Sequence, residues 1–339
     1  MAYGTRAEML EEKRMRRERE RSRKESIKSA KKELLIAPKK TRRSLGLLQI
    51  DPAGVLHFED GRWMKFYRVV SGMKNYPKAA ERISGPGIFT AFLSDGRARY
   101  YITLIRQGDI YAKVKKGFSE DEEILSDGMK IEPLSFCEAV DEILYMAGKS
   151  NKAFDFKEFM KKRKDLSALT FPKVKEDKGG LECEVFSVEE FFIMEYPEEI
   201  VKSVLTDCYE IAGEKDGKVI MSLEFGKTDE KARREYSEYL SERYSTEVKA
   251  ELIEAFLNVC GKVSVFFGKD KDRKEIAKKI MDEFAGAGIL IGERYGLKEQ
   301  ALLSQLSLGM IEDSDYEIVA RDIVERLFKE EFGYDQNKV

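Results

Sequence analysis

Histidine is almost missing from this chain: His57 is the only one in 339 residues. Zinc and di-iron centres draw on several histidines or on clustered cysteines, so metal chemistry of that kind is not expected. The four cysteines, Cys137, Cys183, Cys208 and Cys260, are far apart and form no C-x-x-C pair. That spacing reads as reduced thiols of a cytosolic protein. No apolar run approaches the roughly 18 residues that mark a membrane span. The opening "MAYGTRAEMLEEKRMRRERERSRK" has no apolar stretch of the kind a secretory signal needs. No G-x-S-x-G elbow is present, and a nucleophilic triad is hard to build on His57 alone. His57 lies beside a turn and reads as packing on a sheet edge.

Phosphate-binding loops are lacking too. Gly226-Lys227-Thr228 matches only the tail of G-x-x-x-x-G-K-[ST], and Met221 stands where the first glycine belongs. Ile220 and Leu223 are bulky strand residues, unsuited to a loop whose amides wrap a phosphate. Thr228 or Asp229 is expected to cap the following helix instead. "GEKDGKV", Gly213 to Val219, is one residue short and ends without a hydroxyl. Gly85-Pro86-Gly87 reads as a turn, and "SEDEE", Ser119 to Glu123, as a solvated loop without EF-hand spacing. Tyr100-Tyr101 and Phe191-Phe192 fall in strand patterns, where core packing outweighs a base-stacking role. No catalytic, cofactor-binding or metal-ligating residue is assigned, and no enzymatic activity is expected.

What the sequence does have is charge, unevenly spread. Residues 1–43 hold 16 Lys/Arg against 7 Asp/Glu, a net of +9; the remainder holds 45 against 56, a net of −11. This basic arm, helical or disordered, offers a contact for anionic lipid or nucleic acid, or is simply solvated. "IAPKKTRRS" reads as a linker, because Pro38 discourages helix at Ala37. Short apolar runs separated by "DPAG" and "EDG" then give two or three antiparallel strands. "PKAAERI" reads as a short helix. "GIFTAFLSDGRARYYITLIRQGDIYAKVKK" reads as further strands joined by Asp-Gly and Gly-Asp turns. Ser135 to Gly148 is a helix with apolar residues at helical spacing, Ser135 and Gly148 serving as caps. Residues 44–160 thus form an α+β domain, and the Lys-rich stretch from Lys161 to Gly180 is the expected boundary.

The second half is more regular. Strand character in "LECEVFSVEEFFIMEYP" is followed by a helix over "EEIVKSVLTDCYEIAG", with Ile200, Val204 and Leu205 inward, and by a strand over "KVIMSLEFGKT". One or two long helices are expected from Asp229 to Asn258. A strand, a helix and a strand follow in "KVSVFFGKD", "DRKEIAKKIMDEFAGAG" and "ILIGERYG". This order is the split β-α-β, ferredoxin-like pattern of an α+β domain over 181–310, with antiparallel sheet and helices on one face. A C-terminal helix over 311–339 completes the reading. In "KEQALLSQLSLGM", Glu299, Leu302, Leu303 and Leu306 fall along one side of a helix. The three leucines are expected in the core, Glu299 at its rim and Gln305 on the opposite, exposed side.

Several of these stretches resemble a known family. "FFIMEYPEEI" is similar to the strand-and-proline signature of conjugal-transfer ATPases of type IV secretion systems, the TraC/TraE-like family. "KVIMSLEFGKTDEKA" looks like that family's next strand and helix start. The run from "KVSVFFGKD" to "LSQLSLG" looks like its closing section, carried by Gln300, Leu302-Leu303 and Leu308-Gly309. "GVLHFEDGRWMKFYRVV" is similar to the opening of Gram-positive members, with Met64 and Phe66 departing from the pattern. The resemblance spans Leu45 to Met310. In the family the leucine-glycine ending precedes the motor domain. Here 30 residues follow Gly309, so the expectation is a docking domain without its motor.

The resemblance implies a non-catalytic accessory or structural component of a conjugation or type IV secretion apparatus. Its cofactors would be none. Its partners would be other subunits of the apparatus, including a full-length ATPase relative, and homo-oligomers stay open. Its place would be the cytoplasm, peripheral at the inner membrane. Two rivals remain: a nucleic-acid-binding module of a mobile element using the basic arm, and the docking half of a split ATPase.

Overall fold

The computed structural model describes residues 47–50, 54–108, 110–146, 181–191, 200–213, 217–227, 256–268, 271–293 and 317–320. It also describes a few single positions between 234 and 242 and between 302 and 328. The basic arm, the linkers and the expected boundary at 161–180 lie outside these residues.

The strands are β1 Leu47–Ile50, β2 Leu56–Phe58, β3 Arg62–Ser71, β4 Gly87–Ser94, β5 Arg97–Gln107, β6 Lys130–Pro133, β7 Leu181–Phe191, β8 Lys218–Lys227, β9 Phe256–Gly268, β10 Ile289–Glu293 and β11 Glu317–Ala320. The helices are α1 Tyr76–Arg82, α2 Tyr111–Ser126, α3 Phe136–Met146, α4 Ile200–Ala212 and α5 Arg273–Gly286. All the strands belong to one sheet of 11, in the order β1-β2-β3-β5-β4-β8-β9-β7-β10, with β6 on β3 and β11 on β9. Every pairing is antiparallel. The fold is α+β.

Within the sheet, β7-α4-β8 and β9-α5-β10 interleave as β8-β9-β7-β10. This is the ferredoxin-like order expected for the second half. The first half carries the same arrangement: β3-α1-β4 and β5-α2-β6 interleave as β4-β5-β3-β6. The two units meet along their second strands, with β4 paired to β8 from Gly87↔Phe225 to Ser94↔Lys218. Reading outward from that seam, each unit repeats the other, as around an approximate two-fold axis near Thr90 and Ser222. A bulge supports the match. The register of β3 against β6 slips between Val69 and Ser71, and that of β7 against β10 slips at Val188 and Glu190. Both bulges precede the crossover helix of their unit, where a bulge bends the strand and deepens its twist.

Alternation of side chains along the strands gives the sheet two buried faces. One face packs on α1, α2, α4 and α5 through Tyr76, Phe118, Leu205 and Ile280, with Val324, Leu327 and Phe328 added from the C-terminal part. At its centre Phe328 meets Phe89 edge-on, 5.0 Å between centroids, and Tyr76 meets Phe225 at 5.3 Å. The other face packs on α3 and on Leu302. Covered on both faces, the central strands are apolar nearly throughout: all eight residues of β4 are buried.

Four expectations need correction. "IYAKVKK" is the start of α2, and Ser119–Glu123 lies inside that helix. Ala112 and Val114 alternate with Lys113 and Lys115 as in a strand over a short window, but Val114, Phe118 and Leu125 recur at helical spacing and are buried. The helices expected from Asp229 to Asn258 do not include the last three of those residues, because β9 begins at Phe256. The helix expected over 311–339 contains β11, whose Glu317–Ala320 pairs with Phe256–Val259. Tertiary pairing with the overhanging end of β9 decides that segment.

Candidate functional site

Gly226-Lys227 occupies the end of β8, opposite Asn258 and Leu257 of β9. Met221, at the first-glycine position, is 1% exposed between Ala91 and Val263. This backbone is extended and laddered, so it cannot curl around a phosphate. Thr228 and Asp229 lie outside the described residues, as do residues 214–216 of the Gly213–Val219 stretch.

The residues that do come together form a buried polar row on the face carrying α3. Thr90 lies directly opposite Ser222 across the seam, and both are buried. Thr103, Glu224, Lys262 and Ser264 share that face and are also buried. Gln305, 1% exposed, reaches into the row. Its Nε2 donates to the Ile220 carbonyl at 2.9 Å and the Lys262 carbonyl at 3.0 Å, and its Oε1 accepts from the Ser264 hydroxyl at 2.5 Å. Gln305 was expected outside. The reason it faces in is chemical: a sheet face rich in hydroxyls and strand carbonyls accepts an amide that an apolar core would reject. Leu302 beside it is 1% exposed, as expected; Glu299, Leu303 and Leu306 lie outside the described residues.

In the first unit the row continues under α3. A cavity of about 10 Å³ there is lined by Thr90, Tyr101, Thr103 and Glu142 together with apolar side chains of β3 and α3. Burial first, and then the charge of Glu142, hold the Tyr101 proton on well above the usual phenol range. The end of α3 is pinned to both units. Lys218 Nζ sits 4.2 Å from the Tyr145 ring centroid and donates to the Tyr145 carbonyl at 3.4 Å. A cation suits the carbonyl end of a helix. The Tyr145 hydroxyl donates to Asp95 at 2.6 Å.

A second polar cluster fastens α2 to the opposite face. Asp121, 1% exposed, accepts from Arg106 Nε at 3.1 Å and Nη2 at 2.7 Å, and from the Ser84 amide at 3.0 Å. Glu122 accepts from Lys65 and from the Tyr67 hydroxyl, which raises that phenol far above its usual range, burial contributing most. In the second unit Arg273 of α5 pairs with Glu184 of β7.

These groups are committed to one another, and the geometry fastens helices to strands. His57 stacks on Trp63, ring centroids 3.8 Å apart. Tyr100 and Tyr101 are buried on opposite faces, and Phe191 is buried at the end of β7. Cys183, Cys208 and Cys260 are buried and Cys137 is half-buried, none of them in a disulfide; burial raises the Cys208 thiol. Among the described residues no group of three or more His, Cys, Asp or Glu could hold a metal ion. No helix among them is long and apolar enough to cross a membrane.

Sequence reasoning missed Asp121, Arg106 and Gln305. The signal for Asp121 was an acid placed on the apolar side of the Val114–Phe118–Leu125 stripe; Gln305 had its counterpart in the small polar residues of "VSV".

No family model matches the chain, and no curated protein matches it. Among solved structures, FgChi7B is 11% identical with TM-score 0.29, covering 79% of this chain and 50% of that one. GilR, an oxidoreductase of gilvocarcin biosynthesis, is 11% identical with TM-score 0.33, covering 79% and 52%. The xylooligosaccharide oxidase of Myceliophthora thermophila is 6% identical with TM-score 0.28, covering 72% and 52%. The chain spans about half the length of these proteins, and likeness at this level bears on neither its fold nor its chemistry.

Proposed function

We propose that the protein is a non-catalytic docking component of a conjugative transfer or type IV secretion apparatus, resembling the non-motor domain of its ATPase. One observation carries this reading. The stretches that resemble the ATPase family are spent on building: Met221–Phe225 and Val259–Phe267 form buried strands, and Leu302 and Gln305 close over them. Such a body presents a rigid surface on which other subunits assemble. The direct partner is a subunit of the apparatus, with a full-length ATPase relative as first candidate. The protein would work in the cytoplasm, at the inner face of the membrane. Residues 1–43, with their net of +9, favour a second reading in which the arm holds DNA or anionic lipid.

The test is a pull-down of the full chain against the purified apparatus ATPase, repeated with residues 1–43 removed. Retention of the ATPase by both forms supports docking through the body. Loss of all retention sinks it. Binding to DNA that falls steeply with salt and disappears with the arm would move the function to the second reading. A thermal melt with Mg-ATP is expected to show no upward shift, since a ligand of the folded state would produce one. A saturable rise with hydrolysis would overturn the proposal.

A further inference from the structure

We infer that Val324, Leu327 and Phe328 form a releasable clasp across the seam, and that the groove they fill also takes the same segment from a second copy of this chain. The three are spaced as one face of a helix and are at most 1% exposed. They follow β11 and lie outside both units, so they are an addition to the repeated plan. Phe328 touches each side of the seam. Its ring centroid lies 5.0 Å from that of Phe89 in β4 and 6.3 Å from that of Tyr76 in α1, edge-on to both, in the first unit. It lies 6.2 Å from Phe225 of β8, in the second unit. Apolar anchors at i, i+3 and i+4 in a hydrophobic groove are the means by which a protein takes up a separate helix. Here the ligand is part of the chain.

The fit has a built-in weakness. Tyr76 is fully buried, and its hydroxyl has no hydrogen-bond partner among the described residues. It is pressed against Gly87 of β4, where an added methyl group would lie 2.7 Å from it. A buried hydroxyl without a partner is costly, and Phe328 packs on the ring that carries it. Part of what the apolar contacts contribute is therefore cancelled. The tether of the clasp to the sheet is short as well, since β11 pairs with β9 over four residues. Such a contact opens locally while the sheet stays folded. An opened groove accepts an identical segment with no loss of fit, and exchange of an identical element between copies is a low-cost route to association.

The test uses the full chain, its Phe328→Ala and Tyr76→Phe variants, and a labelled synthetic peptide of residues 317–332 standing for the second copy's segment. Phe328→Ala empties the anchor position and should take up the peptide saturably, with a rise in melting temperature. The parent should bind it measurably but about tenfold or more weakly, because its own clasp leaves the groove open no more than about a tenth of the time. A peptide with the same Phe328→Ala change should bind neither. Tyr76→Phe, which removes the stranded hydroxyl, should melt higher than the parent. No uptake by Phe328→Ala overturns the inference, and so does equal uptake by parent and variant, which would put the peptide elsewhere. Complete refusal by the parent would show that the clasp never releases, and a Tyr76→Phe variant that melts no higher would remove the weakness; either result also overturns it. If Phe328→Ala does not fold alone, refolding it with the peptide decides: recovery of the parent's circular dichroism supports the clasp, and failure overturns it.

Discussion

Gln305 shows how much one side chain can hold when it sits among strand carbonyls. Its three hydrogen bonds join the segment after β10 to both β8 and β9. Gln305→Ala removes all of them and leaves the buried Ser264 hydroxyl without its acceptor. Each buried group stranded in this way costs about 1–3 kcal/mol. The variant should therefore lose about that much or more in urea denaturation, comparable with the ~2–5 kcal/mol of a core truncation such as Leu302→Ala. A loss below about 0.5 kcal/mol would mean that water replaces the amide. Asp121 is the matching residue on the other face. Asp121→Ala leaves Arg106, 17% exposed, without its carboxylate. Removing one partner of such a buried pair costs about 3–5 kcal/mol.

Elements in this fold depend on their ends and on their close approaches. Ser135 and Glu138 form a reciprocal cap on α3: the Ser135 amide and hydroxyl donate to Glu138 at 2.9 and 2.6 Å, and the Glu138 amide returns a bond to Ser135 at 3.4 Å. The Ser135 hydroxyl, then its amide, lower the Glu138 pKa. A carboxylate lowered in the folded state contributes stability above its unfolded pKa and loses it as pH falls through the folded one. Ser135→Ala should cost about 1 kcal/mol at neutral pH. Its difference from the parent should shrink as the pH drops below the ordinary glutamate range, which urea midpoints across that range would record. In α2, Gly117 lies against the Arg106 guanidinium, where a methyl group would collide with it. Alanine in a helix interior normally gains about 1 kcal/mol over glycine. Because Asp121 and Ser84 lock Arg106 in place, Gly117→Ala should lower the melting temperature instead. A raised one would show that Arg106 moves aside.

At the scale of the whole molecule the decisive feature is the seam. β4 and β8 pair over eight positions with Phe89, Ala91, Ile220, Met221 and Leu223 buried beside them. Each half, expressed alone, would expose that strand edge and its apolar flanks, a template for wrong pairing. The two units are therefore expected to unfold together in a single transition, with Trp63 fluorescence in the first unit tracking far-ultraviolet circular dichroism. Two separated transitions would show that the halves are independent domains. A proline at Ala91, which deletes a ladder donor in a central strand, should destabilise both units at once.

The sequence alone determined the elements whose periodicity is local. Helical spacing and caps placed α3, α4 and α5, and the β-α-β order of the second half named its ferredoxin-like plan before any contact was known. The same reasoning failed where two readings fit one short window, as at Tyr111–Lys115, and there it hid the second copy of that plan in the first half. Tertiary structure alone decided three things. It set β4 beside β8, because strand neighbours distant in sequence leave no local trace. It made β11 a strand, because β9 offered it an unpaired edge. It turned Gln305 and Asp121 inward, because a polar residue on a buried face is stable only when the opposite surface supplies partners, and those partners come from strands far along the chain.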